Sequence, residues 1–213
     1  MSEGATASAR LASGFRMPQV HELYRLQRGQ EVADIGPERL AGLELGWRRD
    51  WEGAGLALEL FAYRKRDLVL RDAAGFLVSG GRTRHFGAEL SFAHALGSGF
   101  ALAGQLSLAR HRYAFTRELA GGERIVAGRR IDSAPRRLAA LALGRRFADG
   151  AEARLQLRHL GPYPTDAENL HVYPGHTLID AELILPLGED LVASLRIANL
   201  ADLPHAERAD FAF

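Results

Sequence analysis

Long segments of this sequence alternate apolar and polar side chains with a period of two. Residues 99–108 show the pattern plainly, because large apolar residues occupy every second position there. The apolar set is Phe100, Leu102, Leu106 and Leu108, and the set between them is Ala101, Ala103, Gln105 and Ser107. A period of two indicates an extended strand whose two faces have different surroundings. The pattern recurs along the 213 residues and predicts an all-β protein.

The connections between the predicted strands alternate strictly between short and long. Short turns lie near residues 51, 97, 149 and 188, and long connections lie near 26, 75, 125, 168 and 203. This arrangement is typical of an outer-membrane β-barrel, in which short turns face the periplasm and long loops face outward. The expected fold is an antiparallel up-and-down meander of about nine strands, a partial transmembrane β-barrel. Residues 1–213 are expected to form one such partial domain, with outer loops at 70–81, 117–133 and 163–173.

The same pattern predicts the limits of each element. A first strand ends near Ala12, and residues 21–24 have the composition of one helical turn within a loop. A second strand opens at Pro37 and ends at a turn over 50–53. The later strands are expected at 55–69, 82–95, 99–115, 135–148, 151–162, 175–187 and 190–200. Because no helical pattern follows Gly97-Ser98-Gly99, we interpret that segment as a hairpin turn rather than a phosphate-binding loop.

Composition excludes several classes of function. The 27 basic and 26 acidic residues nearly balance, so the chain offers no strong field for nucleic acid. The absence of cysteine excludes disulfides, zinc–thiolate sites and cysteine nucleophiles. No apolar run reaches the roughly 18 residues of a transmembrane helix. The first six residues lack the basic and apolar regions of a secretory signal. Because an exported barrel needs such a signal, we expect a missing N-terminal part.

No set of residues with catalytic spacing stands out. His21-Glu22 lacks a second histidine four residues later, and no G-x-S-x-G segment marks a serine nucleophile. His85 and His94 fall on opposite faces of their strand and are not expected to converge. Three candidate metal ligands share one predicted loop, although a solvated loop explains them better: Asp202, His205 and Glu207. The sequence therefore predicts no catalytic, cofactor or metal site and leaves the substrate-binding residues unknown.

Charged residues on the predicted polar face and in the loops are the remaining candidates. Two arginine pairs, Arg129-Arg130 and Arg136-Arg137, could draw an anionic ligand toward the mouth of a barrel. Solvation or contact with lipid headgroups explains them equally well. Five residues are expected to face the lumen, where they could line a path through it or contact a domain that fills it: Glu44, Glu89, Gln105, Glu152 and Arg154.

Several short segments, in order along the chain, resemble TonB-dependent outer-membrane receptors. Gly14-Phe15-Arg16-Met17-Pro18 through Glu22-Leu23-Tyr24 is similar to their G-F-R-A-P-x-x-x-E-L-Y segment. Strand openings and ends also match, at Pro37-Glu38, at Phe61 through Val69 and at Gly87-Ala88-Glu89-Leu90. Pro174 through Asp180 and Asn199-Leu200-Ala201-Asp202 resemble the penultimate hairpin and its exit. Together these matches cover nearly the whole chain.

The resemblance implies a transporter rather than an enzyme. Receptors of this family are plugged barrels of about 22 strands in the outer membrane. TonB supplies energy, and the ligands are mostly ferric siderophores, with haem, cobalamin, other metals and some glycans. Here the signal, the plug and the TonB box are missing, and Phe213 is expected early in the final strand. The expected partners are therefore TonB through the absent part, a ferric siderophore or similar ligand, and outer-membrane lipid, with no cofactor and no nucleic acid.

Other interpretations remain open from the sequence alone. A self-contained soluble β-sheet binding protein would share the alternation, and so would a non-functional receptor fragment. An outer-membrane barrel enzyme would need a nucleophile and a base that meet, and the sequence shows neither.

Overall fold

The computed structural model describes residues 4–24, 35–71, 77–119, 122–188 and 190–206. Within these ranges nine strands form one antiparallel sheet, in which successive strands of the sheet are neighbours in space. They are β1 (Gly4–Arg16), β2 (Glu38–Trp51), β3 (Ala54–Arg71), β4 (Leu77–Gly97), β5 (Phe100–Tyr113), β8 (Arg137–Arg146), β9 (Glu152–Leu160), β12 (His176–Pro186) and β13 (Val192–Ile197). The predicted all-β, up-and-down meander is thereby confirmed, with β1 and β13 as the edges of the described sheet.

Smaller elements lie in the connections between the long strands. The helical turn expected near 21–24 is α1 (Val20–Leu23), whose first turn Glu22 closes by accepting the backbone N–H of Gln19. Two short antiparallel pairs follow: β6 (Arg117–Glu118) with β7 (Arg124–Ile125), and β10 (Tyr163–Pro164) with β11 (Val172–Tyr173). In the described ranges, no helix has the length and apolar composition needed to cross a membrane.

The expected loop at 70–81 is largely wrong. Strand β3 continues to Arg71 and β4 already begins at Leu77, so the strands pair well into this segment, with Leu70 opposite Val78. A bulge causes the difference. Asp67 adopts a φ of 58°, and the pairing register shifts between Lys65 and Leu68. The extra residue breaks the alternation on which the prediction relied. The other expected strand limits differ from the structure by only a few residues.

The pairing register sorts the strand side chains into two faces. One face is concave, since strands as distant as β1 and β12 line a single cavity of about 1080 Å³ on it. Gln105 and Ser107 belong to this concave face, whereas Leu102, Leu106 and Leu108 point to the opposite, convex face. The division predicted from residues 99–108 is therefore the division that the structure shows.

The short turns depend on glycine at defined positions. In the turn between β4 and β5, Gly97, Ser98 and Gly99 all have positive φ, at 84°, 51° and 79°. A Cβ on Gly99 would lie 2.1 Å from the carbonyl oxygen of Arg146. Only glycine combines this backbone conformation with such a close approach of the next strand. The segment is thus the hairpin turn that the sequence predicted.

Candidate functional site

An apolar belt runs across the convex face. On β2 it comprises every second residue from Ala41 to Trp47, and on β3 every second residue from Leu56 to Ala62. The belt is not covered by other described residues, because Leu43, Leu45 and Leu60 remain 38%, 43% and 45% exposed. Soluble proteins rarely expose a contiguous apolar surface of this extent. A strand with apolar residues outward and polar residues inward is the pattern of a membrane-spanning barrel.

The concave face is polar, and several of its charged residues form ion pairs. The register brings all five residues predicted to face the lumen onto this face: Glu44, Glu89, Gln105, Glu152 and Arg154. Arg10 contacts Glu44 at 3.3 Å and Arg146 contacts Glu152 at 2.6 Å, both across neighbouring strands. Exposed pairs of this kind add little stability individually, but they leave the concave surface hydrophilic.

Asp180 joins the last two strands of the sheet on the concave face. Its carboxylate, only 5% exposed, accepts the backbone N–H of Asn199 at 2.8 Å and a guanidinium N–H of Arg158 at 2.8 Å. Arg196 lies 3.7 Å from the same carboxylate. The side chain of Asn199 in turn bonds both backbone groups of Leu203 that face it. Asp180 therefore fixes the chain segment that follows β13.

A cluster of one phenol and two imidazoles lies at the long-connection end of the concave cavity. The hydroxyl of Tyr173 lies 2.7 Å from Nδ1 of His176, and the rings of His176 and His205 are 5.0 Å apart. We call Tyr173, His176 and His205 the mouth cluster. His176 and His205 line the cavity together with Arg158. The cluster thus offers hydrogen-bonding groups, and the neighbouring Arg158 offers a cationic group, to any ligand that enters the cavity from this end.

The two long connections at 114–136 and 161–175 pack against each other. Phe115, Ile125 and Ala167 form a small buried apolar core between them, with Leu70 and Leu119 packed beside it. Polar contacts join the same segments. The side chain of Asn169 bonds both backbone groups of Arg130, at 3.0 and 2.9 Å, and Ser133 donates its N–H to the carbonyl of Pro164. We call these two segments the loop assembly.

Asp166 organises the second half of the loop assembly. Its carboxylate accepts the backbone N–H groups of Leu170 at 3.0 Å and His171 at 2.7 Å, and it contacts the imidazole of His171 at 3.2 Å. Partial burial acts to raise the pKa of Asp166, but these hydrogen bonds outweigh it and hold that pKa below its usual value. The loop geometry is therefore coupled to the ionised form of this carboxyl group.

The two arginine pairs named from the sequence occupy different places in the structure. Arg129 and Arg130 donate to the carbonyls of Glu168 and Pro162, so both serve the loop assembly. Arg136 and Arg137 line a second cavity, which opens on the convex face. None of the four lines the concave cavity. Their expected role in drawing a ligand toward that cavity stays a prediction.

The candidate metal ligands and the histidines of β4 lie in different parts of the structure. His205 belongs to the mouth cluster, whereas Glu207 lies outside the described residues. Among the residues that are described, no three His, Asp or Glu side chains are arranged to hold a metal ion. His85 and His94 lie on opposite faces, as predicted. The partner of His85 is His111, with 2.8 Å between their Nδ1 atoms, and no motif in the sequence indicates this contact.

Of the mouth cluster and Asp180, the sequence singled out only His205, as a candidate metal ligand that a solvated loop explains better. Period-two alternation places His176 and Asp180 on one face of a strand, so the sequence could have predicted that these two residues share a face. Nothing in the sequence brings His205 or Asn199 to them, because both lie beyond the following strand. Only the folded sheet shows that these residues are neighbours.

The sequence matches a known family model over most of its length. The family model described as TonB dependent receptor-like, beta-barrel, matches residues 2–200. A search of curated proteins found no match to the sequence.

Solved structures resemble the sheet over most of its length. The ferric yersiniabactin uptake receptor FyuA from Yersinia pestis superposes with a TM-score of 0.79 at 20% identity, over 93% of this chain and 30% of that receptor. The copper transporter OprC gives 0.76 at 17% identity, over 93% and 32%. The ferric preacinetobactin receptor BauA from Acinetobacter baumannii gives 0.68 at 22% identity, over 93% and 30%. The chain therefore spans about a third of the length of these receptors.

Proposed function

Since this chain belongs to the family of TonB-dependent receptor β-barrels, we propose that it works as one part of a TonB-energised transporter for a ferric siderophore or another metal chelate. Proteins of this family are outer-membrane transport receptors rather than enzymes. The chain is accordingly a segment of an outer-membrane barrel, with its convex face toward lipid and its concave face toward the lumen. The long connections then lie on the extracellular side.

The mouth cluster is the observation that carries the choice of ligand. Arg158, His176 and His205 line the cavity at its extracellular end and offer cationic or hydrogen-bond donor groups. A metal chelate with carboxylate, catecholate or phenolate oxygens is a suitable ligand for such groups. Three structural neighbours carry names that point the same way, as receptors or transporters for ferric yersiniabactin, ferric preacinetobactin and copper.

The loop assembly supports the same proposal. Its two segments share a buried core and several hydrogen bonds, so they form one packed wall above the sheet instead of two independent loops. A wall of this kind can present binding groups in a fixed geometry, which lowers the entropic cost of capturing a ligand. Energy from TonB is proposed from the family, in which it drives release through the plugged lumen.

Uptake of radioactive iron tests the proposal. The complete receptor that contains this chain is expressed in iron-limited cells and offered a panel of ferric siderophores at limiting concentration. We expect uptake of at least one chelate, and loss of that uptake in cells that lack TonB. The variant H205A should reduce uptake at limiting ligand by about tenfold, the effect of losing roughly 1.4 kcal/mol of binding.

A matched control separates binding from folding. His94 lies on the convex face at the periplasmic end, opposite Ala54, and faces away from the cavity. The variant H94A should therefore transport at the rate of the unmodified receptor. Equal uptake by H205A and the unmodified receptor would remove the mouth cluster from ligand binding. Uptake that persists without TonB would contradict the proposed energy source.

A further inference from the structure

Four arginines lie directly opposite one another on neighbouring segments of the convex face. Arg64 pairs with Arg84 between β3 and β4, and Arg84 pairs with Arg112 between β4 and β5. An isolated bridge then places Arg130 of the loop assembly opposite Arg112. We call Arg64, Arg84, Arg112 and Arg130 the arginine rung. Directly opposite residues have Cβ atoms about 5 Å apart, so the register aligns four like charges in a row.

The arginines of the rung have no acidic partner among the described residues. Every ion pair that the structure shows for an arginine involves a concave residue, such as Arg10, Arg48 or Arg158. Apart from Asp67 in the bulge, the carboxylates of the nine described strands also lie on the concave face: Glu38, Glu44, Asp50, Glu59, Glu89, Glu152, Asp180 and Glu182. Charge on the convex face of the regular strands is therefore positive only.

Like charges opposite one another destabilise a sheet. Arg64, Arg84 and Arg112 are exposed, and the structure shows only a backbone carbonyl contact for one of them, from Arg112 to Gly128. Arg130 is half-buried and its Nε has no hydrogen-bond partner. Burial, together with the charges of Arg136 and Arg112, lowers the pKa of Arg130. The rung thus has unused donors and unbalanced charge, and both would be satisfied by an anion.

A cavity of about 600 Å³ lies beside the rung on the convex face. Its floor is apolar and includes Phe86, Ala88 and Leu108, which lie on the convex face of β4 and β5 beside the upper edge of the apolar belt. Its rim is cationic and includes Arg110 and Arg130, with Arg110 stacked 5.7 Å above the ring of Phe86. Arg136 and Arg137, whose role the sequence left open, complete this rim. An apolar floor beneath a cationic rim matches a molecule with hydrocarbon at one end and anionic oxygen at the other.

We propose that the arginine rung and the adjoining cavity bind the phosphate groups of an outer-leaflet lipid, with its acyl chains lying on the apolar belt below. Arginine suits this role because its planar fork can donate two parallel hydrogen bonds to phosphate oxygens. The position of the rung along the strands also fits a lipid headgroup. Arg64 and Arg84 are the next convex residues after the last apolar ones, at the extracellular end of the strands. The inference rests on the outer-membrane location and the convex face, and it is independent of which ligand the receptor transports.

Binding of a phosphorylated lipid to the complete receptor in dodecyl maltoside tests the proposal. The probes are bisphosphorylated lipid A, its fully dephosphorylated form and inorganic phosphate, with affinity read by native mass spectrometry and by thermal unfolding. The double variant R64Q/R84Q removes two exposed arginines whose side chains form no hydrogen bond or ion pair with other described residues. We expect it to bind bisphosphorylated lipid A at least tenfold more weakly, because each charge-assisted contact contributes about tenfold or more.

Two control variants make the result specific. Arg49 is also exposed on the convex face but lies at the periplasmic end, so R49Q should bind as the unmodified receptor does. R64K/R84K keeps the charge but loses the bidentate geometry and should give an intermediate affinity. Without lipid, R64Q/R84Q should be at least as stable as the unmodified receptor, because the variant removes like-charge repulsion.

Several results would overturn the proposal. Equal affinity for dephosphorylated lipid A would show that phosphate is not recognised, and unchanged affinity of R64Q/R84Q would exclude the rung. Inorganic phosphate bound as tightly as the lipid would show that the apolar floor has no part. Unfolding of R64Q/R84Q in lipid-free detergent would assign the rung a structural role instead. A complex of two receptor copies in place of a lipid adduct would identify this face as a protein interface.

Discussion

Asp180 offers the sharpest test of how the concave face is held together. The substitution D180A removes the acceptor for the N–H of Asn199 and the partner of Arg158, each at 2.8 Å. The carboxylate is only 5% exposed, so water replaces these contacts poorly. Deleting it also releases the turn at residues 199–203, which the side chain of Asn199 organises.

The expected cost follows from the two contacts. A hydrogen bond from a backbone N–H to a buried carboxylate contributes about 1.5–3 kcal/mol. The contact with Arg158 contributes less than about 1 kcal/mol, because that guanidinium is 48% exposed and solvent screens it. We therefore expect D180A to lower the free energy of unfolding by about 3 kcal/mol. D180N keeps an acceptor for Asn199 and should cost about 1 kcal/mol.

Denaturant unfolding of the complete barrel in detergent micelles measures these values. Asp50 supplies the matched control, because its carboxylate also bonds an arginine, Arg48, at 2.7 Å but is 41% exposed. Surface pairs of this type contribute between 0 and about 1 kcal/mol, so D50A should change stability little. Equal costs for D180A and D50A would refute the reasoning, because burial would then have no effect on the strength of the contact.

Two further predictions concern a turn and a loop. G99A should cost more than about 3 kcal/mol, because its Cβ would lie 2.1 Å from a carbonyl oxygen of the neighbouring strand in addition to the cost of a left-handed backbone. In G97A the new Cβ meets no atom within 4 Å, so this variant should cost only about 1–2 kcal/mol for its left-handed backbone. Similar costs for the two variants in the same unfolding assay would contradict this account. The lowered pKa of Asp166 predicts that its loop is most stable above the usual carboxyl pKa of about 3.9 and loses that stability as pH falls through the lowered value. Hydrogen exchange at the amides of Leu170 and His171, corrected for intrinsic rates, should therefore accelerate in acid, and D166A should show the faster exchange already at neutral pH.

The strand pattern of this protein could be read from its sequence because a two-faced sheet imposes a local rule. Residues such as Leu43, Leu45 and Trp47 face lipid, so apolar side chains must recur at every second position. The rule fails where the backbone departs from regular pairing. At Asp67 the bulge shifts the register, so the sequence pattern predicts a loop in the following segment, where the strands in fact continue to pair.

Contacts between segments that are distant in the sequence could not be predicted, for a different reason. Two segments were singled out separately for their resemblance to receptor motifs, one ending at Asp180 and one beginning at Asn199. The structure shows that they touch, because the carboxylate of one accepts the N–H of the other at 2.8 Å. Alternation gives the face on which a residue lies, but it does not give the residue opposite, since that depends on the register between strands.

The sequence by itself determined the all-β class, the meander, the two faces and the family, because each follows from local alternation, turn residues or short motifs. The tertiary structure alone decided which residues meet: the mouth cluster, the packing of the loop assembly and the alignment of Arg64, Arg84, Arg112 and Arg130. The pairing register and the packing of the loops depend on the free energy of the whole sheet. The sequence of a single strand therefore does not determine where its neighbour lies.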